Sequence, residues 1–316
     1  MKNICLKKSF ICGIIVLLIS SGVVSAFYGN PSVSPKPMKS GNWLYVGGSG
    51  PGNYTTIQSA ITASSDGDTV FVYDDSSPYC EHIVVNKSIQ LIGENRNTTV
   101  IEGGNVEGYL NWVVALKVNN ITIGGFTIQF ASECATATGI QLFSLQNCYI
   151  INNKITSTIP DGFGIKIRDS KNIVIMHNTI TYISHALDLD GSCYNITISR
   201  NNLLDVNVGI NSDCCFNSII SYNNLDTRYE NWAVTLIDLI NCRNFEICYN
   251  NFLTEALVFV DSQDSNFSIT NKWYGNYWGR PRLLPKYFHI HVFDLIPWPQ
   301  FDLFPALKPY DISSMC

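Results

Sequence analysis

The chain has 316 residues, 14% of them charged, with 20 Lys and Arg against 25 Asp and Glu and a formal net charge of −5. That length suits one large β domain with a continuous core. The chain lacks the basic stripe that a nucleic-acid partner requires, which argues against DNA or RNA.

The first 26 residues read as an export signal. Lys2, Lys7 and Lys8 precede an apolar run from Phe10 to Ser21, and Val24-Ser25-Ala26 offers small residues for cleavage after Ala26. The alternative is a retained anchor, because the apolar stretch of about 17 residues is near the lower limit for a span. With the signal removed, no second run of spanning length follows, and 17 basic residues face 25 acidic ones. The expected location is therefore secreted or cell-surface. Residues 27–42 form a Pro/Ser/Gly spacer. The folded domain is expected over 43–316, with 43–82 as N-terminal cap and first turns and 273–316 as C-terminal cap.

Cys5 and Cys12 leave with the signal, and nine Cys remain: Cys80, Cys134, Cys148, Cys193, Cys214, Cys215, Cys242, Cys248 and Cys316. None forms a C-x-x-C zinc pattern. N-x-S/T sequons at Asn53, Asn86, Asn97, Asn120, Asn195 and Asn266 permit glycosylation of an exported chain. An Asn- and Thr-rich β protein also produces such triplets by chance.

Tyr54 to Ser64 places Ile57, Ala60 and Ile61 on one helical face, which predicts a short helix closing the N-terminal end. An internal repeat follows: apolar, any, apolar, two residues, Asn, any, apolar. It runs Cys148-Tyr-Ile150 to Asn153-Lys-Ile155, then Ile173-Val-Ile175 to Asn178-Thr-Ile180. Further copies carry Asn201, Asn223 and Asn250. An earlier copy puts Phe126 at the Asn position, and a slipped one ends at Asn271-Lys-Trp273. Steps of 21 to 27 residues with period-2 alternation predict a coil of three short strands per turn. The asparagines are expected to stack at one corner, where Asn tolerates the left-handed backbone and its amides bond along the column.

A second strand precedes each marker. Examples are Gly139-Ile-Gln-Leu-Phe143, Gly164-Ile-Lys-Ile-Arg168, Ala186-Leu-Asp-Leu-Asp190, Gly209-Ile-Asn-Ser-Asp213 and Ala233-Val-Thr-Leu-Ile237. Ser170, Cys193, Cys215 and Cys242 each lie eight residues before a marker and should share a column, as buried thiols or as a disulfide. The closing segment is rich in aromatics, among them Trp273, Tyr274, Tyr277, Trp278, Tyr287, Phe288, Trp298, Phe301 and Phe304. It reads as an end cap, and an exposed aromatic patch there would suit a sugar or a partner. The expected fold is all-β: a single-stranded right-handed parallel β-helix with a short N-terminal capping helix and an aromatic C-terminal cap.

These repeats resemble those of the NosD-like and pectin-lyase-like superfamily, over about residues 43–316. The opening matches in Ile57-Gln-Ser-Ala-Ile61, Asp66-Gly-Asp-Thr-Val70, Tyr79-Cys-Glu81 and Ile89-Gln-Leu-Ile-Gly-Glu94. The close, Trp273-Tyr-Gly-Asn-Tyr-Trp-Gly-Arg280-Pro281, resembles the ends of archaeal NosD-like surface proteins. The resemblance is specific for fold, since this fold hosts lyases, hydrolases, esterases and adhesins alike. Arg280-Pro281 is similar to a short motif of pectin methylesterases, whose paired Asp and Gln motifs are missing here. NosD implies copper, yet Met is rare and the His are scattered.

In sugar-active relatives the cleft lies on the outward face of the first strand of each turn. If Ile165, Ile167, Leu187, Leu189 and Ile210 point inward, then Lys166, Arg168, Asp188, Asp190, Asn211 and Asp213 point out, with His185 just before them. Further along, Thr235, Ile237, Val258 and Val260 are expected outward, while Asp205, Arg228 and Glu230 fall in turns. As a lyase site, Asp188, Asp190 and Asp213 would hold Ca²⁺, and Lys166 or Arg168 would take the proton or clamp a uronate. As a hydrolase site, two aspartates would serve as acid and base. As ordinary surface residues, they would make weak pairs from rung to rung. Three functions stay open: an exported or cell-surface protein binding a polysaccharide, an envelope glycan or another envelope component without catalysis, a uronate-directed lyase or hydrolase, and a surface-layer spacer.

Overall fold

The computed structural model describes residues 41–105, 111–131, 137–227, 235–254, 257–262, 270–284, 286–292, 296–302 and 304–312; of 105, 131, 257–262, 286–292 and 296–301 it describes the backbone alone. The signal peptide, most of the spacer, Arg228, Glu230, Asn266, Cys134 and Cys316 lie outside these residues, as do the side chains of Val258 and Val260.

Alternation of apolar and polar residues over short runs produces strands, and here they wind as a parallel β-helix. One face is a ten-stranded parallel sheet that includes Thr122–Gly124, Tyr149–Ile151, Lys171–Met176, Tyr194–Ser199, Ile219–Ser221 and Glu246–Cys248. The other two faces join in a seventeen-stranded sheet, because Thr179–Asp190 and Asn202–Asp213 each pass from the second face to the third within one long strand. Those strands bend at Tyr182 (φ 60) and Asp205 (φ 57).

The core is three aliphatic columns, one per face. Ile123, Ile150, Ile175, Ile198, Ile220 and Ile247 line the first. Ile128, Ile155, Ile180, Leu203, Leu225 and Phe252 line the second. Ile140, Ile165, Leu187, Ile210 and Ile237 line the third. Each side chain removed from water contributes about 2 kcal/mol before entropy is charged, so the repeat itself is the source of stability.

The marker asparagines occupy one corner as expected, but not for the backbone reason. Asn153, Asn178, Asn201, Asn223 and Asn250 are fully buried, and it is the residue before each that turns left-handed: Asn152 (φ 54), His177 (φ 59), Arg200 (φ 56), Tyr222 (φ 56) and Tyr249 (φ 58). Gly125 (φ 83) holds that place one rung earlier, where a Cβ would lie 2.3 Å from the Gly93 carbonyl oxygen. The buried amides act instead as a hydrogen-bond ladder. From Asn178 onward each Asn side-chain oxygen accepts both the backbone N–H and the Nδ2 of the preceding marker, as Asn201 Oδ1 does from Asn178 at 2.9 and 3.1 Å, while Asn153 Oδ1 accepts the Phe126 N–H alone. Asn276, not Asn271, continues the column, and the buried Asp302 ends it by accepting from Asn276 N, Asn276 Nδ2 and Trp278 Nε1, each at 3.0 Å.

Both ends are closed. The helix Ile57–Ala63 buries Ile57, Ala60 and Ile61, with Thr56 as N-cap. The Glu81 carboxylate accepts from Ile57 N (2.8 Å) and Gln58 N (3.0 Å), which gives the Tyr79-Cys-Glu81 signature its physical role. At the other end Lys286–Val292 pairs antiparallel with Ile296–Asp302. The chain then returns along the corner, where Tyr310 exchanges two 2.8 Å bonds with the Asn251 side chain. Its ring packs on Tyr222 and Tyr249.

Trp273 and Trp278 are buried within this cap, and Trp278 stacks on Phe252 at 4.3 Å. Phe304 of the same segment is exposed, and a further aromatic cluster lies at the first strands, where Trp43, Tyr45, Phe71 and Tyr73 pack ring to ring with Trp43 and Tyr45 exposed.

Candidate functional site

The outward side of the third face carries the residues singled out from the sequence. Phe163–Arg168 pairs in register with the end of Thr179–Asp190, placing Lys166 beside Asp188 and Arg168 beside Asp190. The next rung sets Asn211 on Asp188, and the rung after sets Asp238 on Asn211. Gln141 precedes Lys166, so one column reads Gln141, Lys166, Asp188, Asn211, Asp238.

Two expectations change here. Ile237 points inward and is fully buried, and Asp238 takes the outward place. The aligned segment is Leu236–Ile240, three residues later than Ala233–Ile237. The chain between Leu225 and Thr235 is longer than its counterparts, and a fixed repeat length misassigns the parity beyond it.

Asp188 is outward yet buried, and both its oxygens are engaged. Lys166 Nζ lies 3.2 Å from Oδ2, and Asn211 Nδ2 donates to Oδ1 at 2.7 Å. The Lys166 ammonium also sits 4.2 Å from the centre of the Phe163 ring. Asp190 faces Arg168 at 3.6 Å and accepts from Gly191 N at 2.7 Å. Arg168 is more than half exposed, so its pair contributes at most about 1 kcal/mol. Asp213 has one buried oxygen with no hydrogen-bond partner among the described residues. His185 stacks near Phe163 at 5.0 Å. Burial holds its imidazole below the ordinary range, with Asp188 pulling the other way.

Among the described residues, no three His, Cys, Asp or Glu side chains are placed to hold a metal ion. Ser170, Cys193, Cys215 and Cys242 do stack, as Tyr194 N, Phe216 N and Arg243 N donate to the carbonyls of Ser170, Cys193 and Cys215. The three cysteines are buried free thiols. The hydrogen bond to Cys215, with burial, pushes the Cys193 thiol well above its usual range.

The model of a family described as periplasmic copper-binding protein (NosD) matches residues 61–283, most of the described coil. This chain belongs to the NosD family. A cell surface glycoprotein of Methanothermus fervidus is 32% identical over 158 residues, covering 41% of this chain and 25% of that protein. The NosD chain described here thus spans about a quarter of the curated relative that it matches. The crystal structure of a pectin methylesterase from Aspergillus niger superposes with a TM-score of 0.50 at 12% identity, over 74% of this chain and 83% of that one, a likeness of fold alone.

The described residues of this NosD chain do not fit a copper centre. Met176 is the one methionine among them, and His82, His177 and His185 are not grouped. Burial raises the thiols of Cys148 and Cys248, the latter to about 12, and neither is grouped with two further His, Cys, Asp or Glu side chains among the described residues.

Proposed function

We propose that this is a cell-surface or exported β-helix that binds envelope glycan without catalysis. The observation that carries the reading is the state of Asp188. A lyase or hydrolase needs a carboxylate or amine free to meet substrate or metal, whereas Asp188 is covered and spent on Lys166 and Asn211. The family described as periplasmic and the surface-glycoprotein relative support the location. The exposed rings of Trp43 and Tyr45 supply apolar faces of the kind that sugars stack on.

The test is a screen of acidic polysaccharides with and without Ca²⁺, using wild type, Asp188→Asn and Asp190→Asn. Wild type is expected to release no unsaturated product and no new reducing ends. Product that disappears in Asp188→Asn would establish the enzyme instead.

Glycosylation follows the availability of Nδ2. Asn53 Nδ2 donates to the Gly47 carbonyl at 2.6 Å and Asn195 Nδ2 to Asn172 Oδ1 at 2.8 Å. Asn86, Asn97 and Asn120 are exposed. Peptide mapping of protein made in a host that modifies N-x-S/T is expected to find sugar at one or more of these three and none at Asn53 or Asn195. Modification at Asn195 would contradict the surface amide column.

A further inference from the structure

We propose that the glycan is acidic and lies along a second surface column, Lys171, Tyr194, Phe216 and Arg243. This inference rests on the glycan-binding reading above and gives it a ligand class and a place. The four residues are in register on successive rungs: Lys171 pairs with Tyr194, Tyr194 with Phe216, and Phe216 with Arg243. Lys171 and Arg243 are exposed, and Tyr194 is 47% exposed. The column therefore presents two aromatic rings with a cation at each end, over three rung steps or about 14 Å.

The surroundings are built for a polar ligand. Tyr194, Phe216, Asn217, Arg243, Asn244 and Thr270 line a shallow concavity of about 320 Å³. The Arg243 guanidinium sits 4.8 Å from the Phe216 ring centre, which fixes that cation beside an apolar face. Beside the column runs a surface amide ladder. Asn147 Nδ2 donates to Asn120 Oδ1 (3.2 Å), Asn172 to Asn147 (3.0 Å), Asn195 to Asn172 (2.8 Å) and Asn244 to Asn217 (2.8 Å). Each of these asparagines is left-handed, with φ between 52 and 61°. They hold the corner in one shape, so the rings and cations are set before a ligand arrives.

The charge decides the ligand class. The chain is acidic overall, so a general surface field repels an anionic polymer. Lys171 makes no ion pair among the described residues, while the cations of the third face, Lys166 and Arg168, pair with Asp188 and Asp190. Aromatic faces take the apolar side of a sugar ring, and cations at the two ends take its carboxylates. A saccharide with several uronate units satisfies both; a neutral sugar satisfies only the rings.

The experiment is calorimetric titration of oligogalacturonate and oligomannuronate, with methyl-esterified oligogalacturonate as the neutral probe, at 50 and 200 mM NaCl. An acid is expected to bind at least tenfold more tightly than the ester and to weaken at high salt. Lys171→Glu and Arg243→Glu each lower acid affinity about tenfold and flatten the salt dependence. Tyr194→Ala weakens acid and ester alike, about fivefold. Lys171 and Tyr194 are surface residues, and an unchanged melting temperature shows that the variants fold.

Wild-type affinity in the Lys171→Glu, Tyr194→Ala double variant overturns the column. If Trp43→Ala then abolishes binding, the glycan reading stands and only the column falls. If the wild type binds none of the probes, the acidic-glycan inference falls and the glycan reading loses its support.

Discussion

Asn201→Ala is expected to lower stability to chemical denaturation by about 4 kcal/mol, whereas Asn195→Ala costs about 1 kcal/mol, mainly because Ala replaces Asn in a left-handed backbone (φ 55). Both residues bond to neighbours on adjacent rungs through their amides. They differ in where the broken bonds are left. Asn201 Oδ1 takes the backbone N–H and Nδ2 of Asn178, and its own Nδ2 donates to Ile175 O (2.9 Å), Ser199 O (3.1 Å) and Asn223 Oδ1 (3.0 Å). Alanine leaves the Asn178 N–H and the Ile175 carbonyl buried without those partners. Each orphaned group costs about 1–3 kcal/mol, and the space vacated adds to it. Asn195 is exposed, so water replaces its amide partner. Equal effects from the two substitutions would contradict the burial of the inner ladder.

Asp302→Ala is expected to cost about 3 kcal/mol or more, because three donors converge on one of its oxygens in a site closed to solvent. Asp302→Asn keeps those three bonds through its side-chain oxygen. It then turns an NH₂ toward the Phe304 N–H, which now donates to Oδ1 at 3.2 Å, for a cost of about 1 kcal/mol.

The pH dependence separates the two forms. Burial raises the Asp302 carboxyl above its usual range, against the pull of Trp278 and Asn276. The folded state therefore binds this proton more readily than the unfolded chain. The carboxylate costs stability above the raised value, and the cost is relieved as pH falls through it toward 3.8. Wild type should gain on Asp302→Asn as the solution is acidified over that range. A difference between them that stays flat from pH 7 to 4 would mean that this carboxyl is not desolvated.

Much of the coil is legible in the sequence because its cause is periodic. Ile150, Ile175, Ile198, Ile220 and Ile247 recur at the same offset from an asparagine, and an inward aliphatic once per strand leaves few other ways to close a core. Lys166, Asp188 and Asn211 fall on one outward column for the same reason. The parity fails at Ile237 because the connection before it is longer, and the outward Asp238 is found only by letting the repeat slip three residues. The alternation Leu236-Ile-Asp-Leu-Ile240 carries that signal.

The role of the asparagines is a different matter. A repeated Asn at a corner fits a left-handed turn as well as a buried amide ladder, and only the burial of Asn178 beside the left-handed His177 distinguishes them. Asp302 is invisible to the repeat: it lies 26 residues past Asn276, but in an antiparallel pair and with a carboxylate in place of the amide. The column from Lys171 to Arg243 has a fixed place in the repeat, seven residues before each marker, but Lys, Tyr, Phe and Arg share no chemical type, so only stacking the rungs shows two rings between two cations.

Each inner asparagine gives its backbone N–H to the side-chain oxygen of the next rung's asparagine, and the coil's corner depends on it. Residue-resolved amide hydrogen exchange tests this most directly. The N–H groups of Asn153, Asn178, Asn201, Asn223 and Asn250 should exchange only with unfolding of their rungs, orders of magnitude more slowly than that of the exposed Asn86. Exchange of those five at the rate of an open loop would show that the asparagines face water, and the ladder would not exist.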